Sequence, residues 1–179
     1  MSAEKTRNVV VSVEATGPSP EEGHRIVELA AVEMVDGIFT YRSYRTYLNP
    51  ERSVDSGALA IHGISEELLR NAPAFGDIAG ELSDFLRGAE LITHHSAFNL
   101  GFLEAELAQA KGEPLASLCT GIEDTYQTAK KLRRNKKNDI DTLVKDFDVR
   151  MPKRTLHGTE LDAYLVGKIY LALKKRMLH

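Results

Sequence analysis

The chain predicts an α/β domain, a mixed five-stranded sheet flanked by helices, and two observations carry that expectation. The front third is all strand-like: Arg7–Glu14, Arg25–Val35 and Ile38–Leu48, the last two joined by the turn pair Asp36-Gly37. Behind it, short apolar runs alternate with segments of helical period. No repeat, low-complexity stretch or linker divides the chain. A single domain over residues 1–179 is expected, with its core at about 7–173.

Each element has its own signal. Arg7–Glu14 is a valine-rich strand ending at Gly17, and period-two alternation puts Ser12 and Glu14 on one face. Ser65–Asn71 reads as a helix. So does Phe75–Arg87, with Phe75, Ile78, Ala79, Leu82, Phe85 and Leu86 on one side. Ala60–Ile64 between them is expected to be a connecting loop. Glu90–Thr93 is a short strand and Ala97–Lys111 a helix. Thr120–Leu132 holds a strand or turn and a helix, and Ile140–Phe147 a further helix. The last helix runs from about Thr159 to Lys175, with Leu161, Leu165, Ile169 and Leu173 in register.

Composition excludes several classes. The single cysteine, Cys119, forbids an internal disulfide and suits a reducing compartment. There is no secretory pattern at Met1–Arg7 and no apolar run near the ~18 residues of a membrane span, so a soluble cytoplasmic protein is expected. The net charge of -3 hides an asymmetry: Lys130–Arg176 holds 14 Lys/Arg against 6 Asp/Glu. Its densest part, Lys130–Lys137, has six cations in eight residues. Such a run serves equally as a solvated loop after a helix or as a phosphate-contacting patch in which Lys136 and Lys137 would take part.

Candidate chemistry gathers at three further places. Thr93–Asn99, with His94 and His95, joins a strand to a helix, an edge where α/β folds place ligands. Thr155–Asp162 enters the last helix, with His157 in a loop and Asp162 in the first turn. His62 lies in the Ala60–Ile64 segment. Each has a plainer reading. Asp162 fits a first-turn acid with Thr159 capping. Asn99 fits a helix-start backbone ligand, and His62 or His157 a loop histidine bonded to main chain.

Taken together, the order and spacing resemble the DEDDh family of 3′–5′ exonucleases within the ribonuclease H-like fold. Within that family the likeness is to the proofreading epsilon subunits of bacterial DNA polymerase III. It covers about Arg7 to Leu173 and rests on Ile61-His62-Gly63-Ile64, Arg87–Leu91, Ala97–Phe102, Lys153–Gly158 and Leu161-Asp162-Ala163. The resemblance implies four carboxylates holding two Mg²⁺ or Mn²⁺ ions about 3.5–4 Å apart, with a histidine as general base. Carried over by position, Glu14 and Asp162 are metal ligands and His157 is the base. Thr16, Gly17, His62 and His95 would lie against a single-stranded DNA 3′ end, and a DNA polymerase subunit is an implied partner.

Two family aspartates are missing. Ser12 and Asn99 stand in their places, and Val13, Ala15 and His95 also depart from the family pattern. Two divalent ions need more anionic charge than Glu14 and Asp162 supply, and losing even outer partners costs roughly 10–100-fold in affinity or activity. Hydrolysis is therefore expected to be abolished or very weak, with one ion or none bound in the absence of substrate. Asp139, Glu160 and His95 are the conceivable substitute ligands. Three readings stay open: an active exonuclease with rearranged ligands, a silent relative that binds a 3′ end or a polymerase, and a chain whose aspartates were replaced to trap substrate.

Overall fold

A computed structural model describes residues 3–179. Its five strands are β1 (Arg7–Ala15), β2 (Ile26–Val35), β3 (Ile38–Tyr47), β4 (Glu90–Thr93) and β5 (Gly121–Asp124), in the order β3-β2-β1-β4-β5. β1–β2 and β2–β3 pair antiparallel, whereas β1–β4 and β4–β5 pair parallel. The sheet is mixed, as expected.

Helices cover both sheet faces, so β1 is apolar on both sides through Val9, Val10 and Val11. The odd face of β1 (Val9, Val11, Val13, Ala15) packs on α3 (Phe75–Leu86) and α4 (Ser96–Gln109). Val10, on the even face, packs with Ala30, Val32 and Met34 of β2 against Ala163, Val166 and Tyr170 of α8 (Gly158–Met177). That parity decides where the chemistry falls. Ser12 and Glu14 share the side of Val10, so they face the helix that carries Asp162.

The remaining helices are α1 (Ser56–His62), α2 (Glu66–Leu69), α5 (Leu115–Leu118), α6 (Thr125–Leu132) and α7 (Ile140–Asp146). α1 corrects the loop expected around His62. It carries no buried residue, so no apolar period marked it, and Gly63 closes it in the left-handed region at φ 67°. The expected Ser65–Asn71 helix is the shorter α2, and α5 was not anticipated. No helix among the described residues is long and apolar enough to cross a membrane.

Candidate functional site

At the ends of β1 and β4 a cavity of about 1020 Å³ opens, and Ser12, Glu14, Asn99 and Asp162 all line it. β1 supplies the first two, α4 the third and α8 the fourth. Gly17, His62 and His95 border the same space, with Phe98 and Ile61 as apolar wall. Seven of the residues singled out from sequence therefore converge on one cleft.

Four others do not reach its lining. Thr16 is fully buried, and its hydroxyl is taken by His24 Nδ1 at 2.9 Å and by the Arg25 N–H at 3.0 Å. The Thr16 hydroxyl is thus spent within the protein rather than offered to the cleft. His157 is exposed at the N-cap of α8, and Lys136 and Lys137 are exposed beyond the cleft. Their loop is ordered from beneath. Arg133 pairs with Asp146 and donates to Lys137 O and Asn138 Oδ1, leaving the neighbouring lysines outward.

The two carboxylates crowd each other. Burial, then Asp162, then Glu28 push the Glu14 carboxyl up to about 7. Burial, then Asp141, then Glu28 raise Asp162 above its ordinary value. Glu28 is the residue sequence reasoning missed. It sits opposite Glu14 on β2 and is 2 % exposed. Its Oε1 accepts from Thr159 N at 2.8 Å and Thr159 Oγ1 at 2.6 Å, docking the first turn of α8 on the sheet. Gly158 leaves room for this, since a Cβ there would collide with the Glu28 carboxylate. Thr159 is therefore a ligand of Glu28 rather than a helix cap. A charged residue inside the apolar run Ile26–Val35 was the available signal.

Both ends of the Asn99 carboxamide bond main chain. Its Oδ1 accepts the Val13 N–H at 3.1 Å, and its Nδ2 donates to His94 O at 2.6 Å. Both ring nitrogens of His62 are likewise engaged by main chain: Nε2 donates to Ala15 O at 3.1 Å, and Nδ1 accepts from Ile64 N at 3.0 Å. His95 holds a left-handed φ of 67° and stacks on Tyr126 with centroids 3.9 Å apart. Buried His94 is pushed down to about 4, chiefly by desolvation. It is neutral, so its Nε2–H donates to Asn138 O at 2.8 Å and Nδ1 accepts from Thr125 Oγ1 at 2.8 Å.

The lining offers two carboxylates, Glu14 and Asp162, where two divalent cations would need more anionic charge. Ser12 brings no charge, and the Asn99 oxygen already holds an N–H. Among the described residues no group of three His, Cys, Asp or Glu is placed to hold a metal. Two of the three substitutes considered from sequence are committed elsewhere, while His95 borders the cleft. Asp139 caps α7 through Thr142, and Glu160 lies against Ser43 and Arg154.

Residues 9–170 match the model of the exonuclease family named RNase_T. The chain is 38% identical over 178 residues to DNA polymerase III subunit epsilon of Escherichia coli (strain K12), covering 97% of this chain and 73% of that protein. It is 38% identical over 168 residues to the same subunit of Rickettsia felis, covering 93% and 73%. Among solved structures, exonuclease X in complex with 5′ overhanging duplex DNA superposes with a TM-score of 0.71 at 20% identity, covering 94% of this chain and 92% of that one. The nuclease domain of 3′hExo, a DEDDh family member bound to rAMP, does so at 0.77 and 15%, covering 97% and 94%. These two likenesses speak for the fold.

Proposed function

The chain belongs to the exonuclease family, and we propose that it is a member that holds nucleic-acid 3′ ends while its own hydrolysis is abolished or strongly impaired. The observation that carries this is the Asn99 carboxamide, whose oxygen and nitrogen are both committed to main-chain partners where the family pattern wants a free carboxylate. Ser12 removes a second anion beside it.

Glu14 and Asp162 would hold a single divalent ion, which supplies Lewis-acid polarisation of a phosphate oxygen. The chain's own residues do the rest. Gly17, His62 and His95 border the space for the terminal nucleotide, with Phe98 as an apolar wall. A binder of frayed ends needs such stacking and backbone contacts rather than base readout. His157 is the residue for a general base at the entrance to α8, and Lys136 and Lys137 contact strand phosphates. Relatives named as a polymerase III subunit support a DNA polymerase as the protein partner.

The test is a 3′-labelled oligonucleotide incubated with the protein in Mn²⁺ and without it. Binding without shortening is expected, and Ser12→Asp with Asn99→Asp together should bring cleavage back. Metal-dependent shortening by the unaltered chain, lost in Glu14→Ala, overturns the proposal in favour of an active enzyme with rearranged ligands.

A further inference from the structure

Away from the carboxylates, a second concavity of about 470 Å³ lies along the flank of α8, between that helix, β3 and residues 152–156. Three rings and three cations line it: Phe39, Tyr41, Tyr164, Lys153, Arg154 and Lys168. Glu160 is the acid among them. Phe39 and Tyr164 stack at 4.6 Å, and the Lys168 ammonium stands 5.6 Å from each ring centre. Arg154 lies over Tyr41 at 5.5 Å.

Two features of the packing shape this arrangement: close approach of α8 to Phe39, and a bulge in β3 between its pairings Val32–Ser43 and Met34–Phe39. Gly167 sits inside α8, where glycine weakens a helix, and a Cβ there would come within 2.7 Å of the Phe39 ring. Tyr41 is 76 % exposed yet holds a φ of 66°, a left-handed conformation costly for a bulky residue. Strained backbone thus presents a large ring to solvent, beside cations, on a chain whose overall charge is negative.

We infer that this groove is a second subsite for single-stranded nucleic acid, taking bases on its rings and phosphates on Lys153, Arg154 and Lys168. The inference rests on the reading of the chain as a nucleic-acid binder and extends it beyond the terminal cleft. The groove begins at Glu160, two residues from Asp162, and follows α8 to Lys168, about 12 Å along the helix axis. Residues 160 and 162 lie about 200° apart around the helix, so a strand leaving the cleft reaches the groove by crossing the N-terminal end of α8. Leu156 lines the groove next to His157, so an occupant also steadies the segment that carries that histidine. Every base has a stacking face, which suits a groove walled by exposed rings beside cations.

Fluorescence anisotropy with labelled oligothymidylates tests it, comparing a trinucleotide with a strand of about twelve bases, within the site sizes of single-strand binders. Tyr41→Ala should weaken the longer strand roughly tenfold and leave the trinucleotide unchanged, while Tyr41→Phe retains binding. Lys153→Ala with Lys168→Ala should lower the slope of log affinity against log salt by about 1.4. Unchanged thermal midpoints for these surface variants show that the fold is intact. If the trinucleotide binds and the longer strand ignores all these changes, the subsite is wrong and the nucleic-acid reading stands. If neither strand binds, that reading fails and takes the subsite with it. Displacement of the longer strand by a polyglutamate peptide of equal affinity would assign the groove to a protein partner and overturn the inference.

Discussion

Asn99 shows how one atom decides a site. Its Nδ2 gives a proton to His94 O at 2.6 Å; an aspartate in the same pose would set a negative oxygen against that carbonyl. Asn99→Asp alone should therefore destabilise the fold by about 1–3 kcal/mol at pH 8, measured by urea unfolding. Mn²⁺ should reverse most of that loss only when Ser12→Asp is added. No loss in the single variant would mean that the amide bridge contributes nothing. The sequence made Ser12 and Glu14 legible through strand alternation, and it located Asn99 by motif order. It could not reveal what Asn99 bonds to, because Val13 lies 86 residues away and the contact exists only once β1 and α4 meet.

At the scale of elements, α3 and α8 were legible because each turns an apolar side to the core, and β1 and β2 because they are apolar runs buried on both faces. α1 and α5 were not, being short, and α1 having no buried side. Nor was the docking of α8 on β2, since Glu28 and Thr159 are 131 residues apart. That contact sets where Asp162 stands. Glu28→Ala would orphan the buried Thr159 N–H and hydroxyl, costing about 2–3 kcal/mol. Amide exchange over Thr159–Asp162 should rise with it, while Glu28→Gln, which keeps the accepting oxygen, should largely preserve protection. Equal protection in the Ala variant would remove Glu28 from that role.

Over the whole molecule, two buried groups pull stability in opposite directions with pH. Glu14 titrates near 7 in the folded chain against an ordinary 4.5, so the folded state holds the extra proton and stability falls as pH climbs through that window. His94 titrates near 4 against 6.5, so the unfolded state holds the extra proton and stability rises with pH between those values. Above about pH 6.5 the His94 slope is spent, and the raised carboxyls of Glu14 and Asp162 set the trend. Glu14→Gln should then raise stability at pH 8 by about 1–2 kcal/mol after allowance for solvent screening, and should be nearly neutral at pH 4. Thermal unfolding across that range checks it, and an unaltered midpoint at pH 8 would contradict the crowding of Glu14 by Asp162 and Glu28. The bridge from Val13 through Asn99 to His94 has one more consequence. A ring of four like charges would spring apart whenever its counterions were withdrawn, whereas an uncharged brace across the mouth of the sheet holds its span in any ionic medium. A cleft braced in this way keeps its shape when magnesium is scarce.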